Sequence, residues 1–201
     1  MRVYFATTNP GKVSTFGKVL EQYGHEIIEK TMELPEPRTE DIKKIAIAKV
    51  KYAYNELKSP CFAHDSGFYL HALGGYPGSY VNSILKNPKM DIPKILKLME
   101  GEPREAGFLN TIAYLDNTLE EPVCFTSSIE GRLSEQPMGT LKEYSLSNLH
   151  LIFIPEGCTK TMADMTREEY FEWRLVRQPN SVATKFGEWL SSRETPAKIF
   201  K

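Results

Sequence analysis

No apolar run in these 201 residues approaches the roughly 20 needed to span a membrane, so a membrane role is not expected. The start, MRVYFATTN, turns polar too soon to read as a secretory signal. Cysteine is scarce: Cys61, Cys124 and Cys158 are widely spaced and form no CxxC pair. An odd count without a framework reads as reduced thiols and a cytoplasmic setting, with core packing as the role of Cys61 and Cys124. There is no surplus of charge of either sign. The formal net charge is −1, which gives no basic field to attract nucleic acid. Repeats, low-complexity tracts and linkers are also missing. What remains, 41% hydrophobic and 25% charged, describes a single globular domain over 1–201 with ample core.

The chain opens on a β-branched and aromatic run, RVYFA, read as a buried strand. The turn-rich segment TTNPGK follows, then apolar Val13, Phe16, Val19 and Leu20 at helical spacing. A second strand is expected over 25–29. Thr39 is the expected cap of a helix running to about Leu57, and 181–190 reads as a final amphipathic helix. Strands are also expected over 61–63, 105–114, 122–129 and 149–154, and short helices over 79–85 and 92–99. Strands and helices mix without strict alternation. The fold class is therefore α/β, with a mixed sheet rather than a purely parallel one.

Four features carry chemistry. A strand leading through Thr7, Thr8, Asn9, Pro10, Gly11 and Lys12 into a helix aims backbone N–H groups at an anion; the same pattern also suits a simple helix cap. It is neither a Walker A loop nor GxGxxG. Glu36 stands between two prolines. Lys49 lies on the apolar face of its helix, either snorkelling at the edge or aimed at an anion in a cleft. Asp65 follows an apolar run and opens a Ser-Gly step, which presents a carboxylate at a sheet rim or forms an ordinary Asx-turn. Lysines and donors suit a polyphosphate. Two separated carboxylates suit Mg²⁺, which takes oxygen ligands and shares substrate phosphates.

The segments ATTNPGK, LPEP, IAIAKV and above all HDSGFYLHALGGYPGSY resemble the inosine triphosphate pyrophosphatase, or Ham1, family over roughly the first 85 residues. That resemblance implies a homodimer of an elongated two-lobed α/β domain, with a central twisted mixed sheet flanked by helices. It implies Mg²⁺-dependent cleavage, with Mn²⁺ as an alternative, of non-standard purine nucleoside triphosphates such as ITP, XTP and dITP to monophosphate and pyrophosphate. By position, Thr7 to Lys12 would hold the triphosphate, Lys49 would contact phosphate, and Ser66 and Gly67 would line the site. Glu36 and Asp65 would serve the metal, and Asp65 would also orient or deprotonate the attacking water. The alternative, from another class, is a nucleotide-binding sensor or scaffold weakened in catalysis.

Two departures matter. The family's Gly-Phe-Gly-Tyr-Asp-Pro-like and Ser-His-Arg segments, which read the base, have no counterpart in 147–177; Arg174 or Arg177 stand as remnants, and Trp173 or Tyr170 as a replacement stacking surface or as core. Flattened base selectivity, or a preference for some other nucleotide, is the expectation. The residue before Asp65, commonly acidic in the family, is His64, which either would serve Mg²⁺ poorly and leave it less tightly held or faces the core as a hydrogen-bonded residue.

Overall fold

The computed structural model describes residues 1–86, 91–176 and 178–194. A seven-stranded mixed sheet forms its centre. In chain order the strands are β1 (Arg2–Ala6), β2 (Glu26–Lys30), β3 (Cys61–Leu70), β4 (Pro77–Gly78), β5 (Glu105–Leu115), β6 (Val123–Leu133) and β7 (Phe153–Pro155). Their spatial order is β2-β1-β3-β5-β6-β7, with β4 on the edge of β3. The helices are α1 (Pro10–Glu21), α2 (Ile42–Leu57), α3 (Val81–Leu85), α4 (Ile92–Leu98), α5 (Arg167–Val176) and α6 (Val182–Glu194).

Strand periodicity decides which helix packs where. Val3, Phe5, Phe62, Ile112 and Tyr114 point to one face and bury against α1 and α6. Ala6, Cys61, Ala63, Ala113 and Leu115 point to the other and receive Ala46, Val50 and Ala53 of α2. Phe5 and Phe62 stack at 4.2 Å, and each fully buried ring is worth about 1.5–3 kcal/mol. Small residues on the second face let α2 approach closely. A separate core forms at the far ends of the same long strands, where Phe68, Leu70, Ala106 and Leu133 pack with Met99, Tyr170 and Trp173.

β1 and β3 pair, in parallel, only at Tyr4–Cys61 and Phe5–Phe62. β1 then turns away into α1, while β3 runs on to Leu70 beside β5. β1 leads to β2 on one side and lies beside β3 on the other, all three parallel, so the order in which strands join the sheet reverses at β1. A crevice at such a reversal, beyond the carboxyl end of a strand, is where open α/β sheets take ligands.

Several local expectations shift. α1 starts at Pro10 rather than Val13, because Pro suits the first helical position and Asn9 caps it, accepting from Lys12 N at 3.2 Å. The cap of α2 is Asp41, which accepts from the backbone of Lys43 and Lys44; Thr39 instead accepts from Asp41 N. The expected strand over 149–154 is mostly a 3₁₀ turn, Asn148–Leu151, with only Phe153–Pro155 extended. Its Ser147 accepts from Leu149 N, which closes a turn before the apolar run can pair. Cys61 is free and buried, and burial pushes its thiol up to about 12, consistent with packing. None of the described helices is long and apolar enough to cross a membrane.

Candidate active site

Asp65 is not at a strand end. It sits inside β3, opposite Thr111 of β5, and only 3% exposed. The glycines after it lie in the strand and the turn beyond, so the Asx-turn reading is overturned by the uninterrupted β3–β5 ladder. By strand parity Asp65 faces α2, and there it meets Lys49. The Lys49 Nζ donates to Asp65 Oδ1 at 2.6 Å and to Glu36 Oε1 at 3.1 Å. Lys49 reaches inward because its neighbours on the same helix face, Ile45, Ala46 and Ala53, are buried. It is 6% exposed and is not a snorkelling side chain. Burial acts to raise the Glu36 carboxyl, but the Lys49 ammonium, with Lys86 and Lys12 behind it, outweighs this and holds it below the ordinary carboxylate range.

The β1–α1 loop closes the crevice from the other side. Thr7 accepts from Asn9 N at 3.1 Å, and the Asn9 side chain also donates to Leu146 O at 3.0 Å. Lys12 Nζ rests on the backbone carbonyl of His64 at 3.2 Å. Burial drives the Lys12 ammonium down to about 8, with Lys49 pushing the same way and Asp65 and Glu36 opposing. A cavity of about 650 Å³ opens between these groups, a size typical of small-ligand sites. Thr7, Thr8, Asn9, Lys12, Glu36, Lys49 and Ser66 are on its wall. Asp65 lies just behind Lys49. Pro10, Gly11 and Gly67 do not reach the wall. Gly11 is packed so closely that a Cβ there would meet Ser145 O at 2.3 Å, and one on Gly67 would meet the Tyr69 ring at 2.7 Å.

The far end of the cavity is lined by Phe108, Ile129, Leu149 and Met162 together with polar Asn110, His150 and Arg174. Asn110 and His150 carried no sequence signal beyond a polar residue in an apolar run, LNTIA and LHLIF.

Residues 3–173 match the Ham1 family. The chain is 33% identical over 191 residues to a dITP/XTP pyrophosphatase of Thermococcus kodakarensis, covering 94% of this chain and 97% of that protein. It is 32% identical over 192 residues to one of Pyrococcus horikoshii, covering 94% and 97%. The chain belongs to the Ham1 family. Its fold is that of the Staphylococcus aureus Ham1 protein, with a TM-score of 0.74 at 21% identity, covering 96% of this chain and all of that one. The HAM1 protein of Coxiella burnetii superposes similarly, with a TM-score of 0.73 at 22% identity over 96% of this chain and 98% of that one.

One expectation about the departures from the Ham1 pattern is overturned, and two left open are narrowed. His64 is on the opposite face of β3 from Asp65, with its ring 4.7 Å from Phe16 and its Nε2 3.3 Å from Asn110 Oδ1. It is therefore not a neighbour of the metal-side carboxylates, and the argument for weakened Mg²⁺ binding falls. Tyr170 and Trp173, 0% and 3% exposed, are core and offer no stacking surface. Of the two arginines, Arg174 reaches the cavity; Arg177 lies outside the described residues.

The donor set fits the divalent cation that Ham1 membership implies. Two carboxylates already converge on one point charge, the Lys49 ammonium. No cluster of three or more His, Cys, Asp or Glu suited to a metal occurs among the described residues. The fit rests on the two carboxylates alone, whose oxygens are ligands that Mg²⁺ accepts alongside phosphates and water.

Proposed function

We propose that residues 1–201 act as one nucleoside triphosphate pyrophosphohydrolase domain. It would take a purine nucleotide of the dITP or XTP kind, as the names of its relatives have it, and release monophosphate and pyrophosphate. The observation that carries this reading is the convergence of Lys12, Lys49, Glu36 and Asp65 on one crevice beside a helix N-terminus.

In this reading the triphosphate lies along Thr7, Thr8 and the start of α1, whose backbone N–H groups favour anions. Lys12 and Lys49 counter the charge that develops on the leaving pyrophosphate. Ser66 lines the site beside them. Asp65 orients a water against the α-phosphorus and takes its proton as the new P–O bond forms. The bond from the α-phosphorus to the bridging oxygen breaks, and its electron pair leaves with pyrophosphate. Glu36 and Asp65 would hold Mg²⁺, or Mn²⁺ in its place, which when bound supplies further charge neutralisation on the phosphates. Pro10, Gly11 and Gly67 shape the backbone rather than touch the nucleotide. A homodimer in the cytoplasm, acting on free nucleotides and not on nucleic acid or membranes, completes the proposal.

The test is pyrophosphate release across a nucleoside triphosphate panel, with binding followed in parallel by thermal shift. Asp65→Asn keeps the shape and should lower turnover by at least about 10²-fold while metal-free nucleotide binding changes little. Binding without turnover in the wild type would favour a sensor or scaffold instead.

A further inference from the structure

Strand β3 carries different chemistry on its two faces. His64 and Ser66 turn to the cavity. At the end where a nucleotide held by its phosphates would put its base, His64 lies with Asn110, His150 and Arg174, all four buried. Asp65, Gly67 and Tyr69 turn to the opposite face, on the side of α2. Asp65 Oδ1 accepts from Lys49 Nζ, but among the described residues its Oδ2 accepts no hydrogen bond. A carboxylate held by one oxygen alone is free to rotate, which a general base should not be.

The Tyr69 ring folds back along this face over Gly67. A Cβ on Gly67 would stand 2.7 Å from the ring Cε2 and 2.9 Å from Oη, so the hydroxyl occupies the place a side chain at 67 would take. Gly75 and Gly78, both with positive φ, close on the other edge of the ring, where their Cβ positions lie 3.4 Å from Cδ1 and 3.5 Å from Cε1. Three glycines of one sequence segment thus form a slot for one ring. Successive positions on a strand face are about 6.6 Å apart, so the hydroxyl faces Asp65 across a gap that one water spans. Burial raises the phenol above its ordinary range, and the charges of Asp65, Glu40 and Asp41 add to this, so it remains a protonated donor among carboxylates. Among the described residues it has no hydrogen-bond partner of its own.

We propose that Tyr69 is a positioning residue for the reaction, its hydroxyl steadying Asp65 Oδ2 through one bridging water while Lys49 holds Oδ1. The carboxylate then keeps the orientation in which it receives the proton of the attacking water. A carboxylate oxygen has two lone-pair sites, so Oδ2 accepts from the bridging water and retains one for the attacking water. Tyr69 is not on the cavity wall and acts only through Asp65. The inference rests on the reading of Asp65 as the general base.

Tyr69→Phe keeps the ring in its slot and removes only the O–H. In steady-state pyrophosphate release, kcat should fall about tenfold, with KM within about twofold and the melting temperature unmoved. A hydroxyl that acts through Asp65 has nothing to steady once that carboxylate is gone. Tyr69→Phe should therefore add less than about twofold to the loss in Asp65→Asn. Gly67→Ala gives a second route: its methyl drives the hydroxyl from its place with the phenol intact, so kcat should fall as far as in Tyr69→Phe, and the double variant should be no worse than either. A wild-type kcat in Tyr69→Phe overturns the proposal. So does a tenfold loss that persists in full beside Asp65→Asn, or one that comes with a raised KM and a lower melting temperature, which marks a purely structural role. A wild type that releases no pyrophosphate from any nucleoside triphosphate sinks the hydrolase reading and this inference with it. An active wild type matched by Tyr69→Phe sinks this inference alone.

Discussion

At the phosphate end of the cavity most of the wall comes from one short stretch of chain, the turn from β1 into α1, completed by Glu36 and Lys49. At the base end, four buried side chains arrive from four separate elements. The first end works through backbone direction: a strand stops, a helix begins, and its N–H groups point outward whatever the neighbours are. The second works through side chains that become buried only when β3, β5, the 3₁₀ turn and α5 pack together. Local geometry is written in adjacent residues and leaves a motif; a site assembled by tertiary packing leaves none. The two ends are also bolted together. Gly11 packs on Ser145 O, Asn9 donates to Leu146 O, and Thr15 donates to Tyr144 O at 3.2 Å.

The largest expected effect is at the phosphate end. Lys49→Met leaves the buried Asp65 carboxylate without its ammonium, and breaking such a pair costs about 3–5 kcal/mol. The melting temperature should fall clearly, and Mg²⁺ should restore more stability to the mutant than it adds to the wild type. Inosine monophosphate contacts at the base end should survive in the fraction that remains folded. A mutant as stable as the wild type would show that Lys49 does not hold the carboxylates.

Next is the joint between the ends. Gly11→Ala places a methyl 2.3 Å from a backbone carbonyl, so chain must move, at about 1–3 kcal/mol. Because Ser145 belongs to the segment leading to the 3₁₀ turn, loss of affinity should extend to the base as well as to tripolyphosphate. An effect confined to tripolyphosphate would mean that the ends act independently.

Much of the phosphate end was legible in sequence: the β1–loop–α1 order, Glu36 between prolines, and Lys49 on an apolar face. What misled was the neighbourhood of Asp65. Ser66 and Gly67 read as a turn, whereas full pairing of β3 with β5 keeps the chain extended through them. His64 is adjacent to Asp65 in sequence, which suggests shared chemistry; extended backbone sends adjacent residues to opposite faces. At the base end, missing motifs implied flattened selectivity. Polar residues such as Asn110 and His150 belong to no motif, and their burial beside the cavity shows only in the fold.

The base end should also make the fold acid-sensitive. Burial pushes His150 down to about 3, with Arg174 adding to it, and burial with Lys12 and other cations holds His64 well below its usual value. Below about 6.5 the unfolded chain takes up protons that the native imidazoles refuse, so stability falls with pH. Each imidazole contributes roughly 1.4 kcal/mol per pH unit, or about 2 kcal/mol between 6.5 and 5. The depressed Glu36 carboxyl adds its own loss only at lower pH, as pH falls through its native pKa. His150→Leu should remove about half of the loss above pH 5. An unaltered slope would show that His150 is protonated in the native state.

The smallest expected effect returns to the phosphate end and sets an upper pH limit on it. Lys12 is brought down to about 8 chiefly by burial, with Lys49 pushing the same way and Asp65 and Glu36 resisting. Its ammonium is therefore full below about pH 7 and lost as pH rises through 8. The rate constant kcat/KM reports groups of the free enzyme, so it should fall above pH 8 by up to about tenfold per unit. Bound triphosphate adds negative charge beside Lys12 and holds the proton on, so kcat should bend at a higher pH than kcat/KM. Lys12→Arg keeps its charge throughout this range and should remove the falling limb, at lower activity because a planar guanidinium fits the place of an ammonium poorly. Inosine monophosphate binding, which depends on the base end, should be far less sensitive over pH 7–9. If kcat/KM is flat to pH 9 in the wild type, Lys12 keeps its proton or does not meet the phosphates, and the division of labour between the two ends fails at the phosphate side.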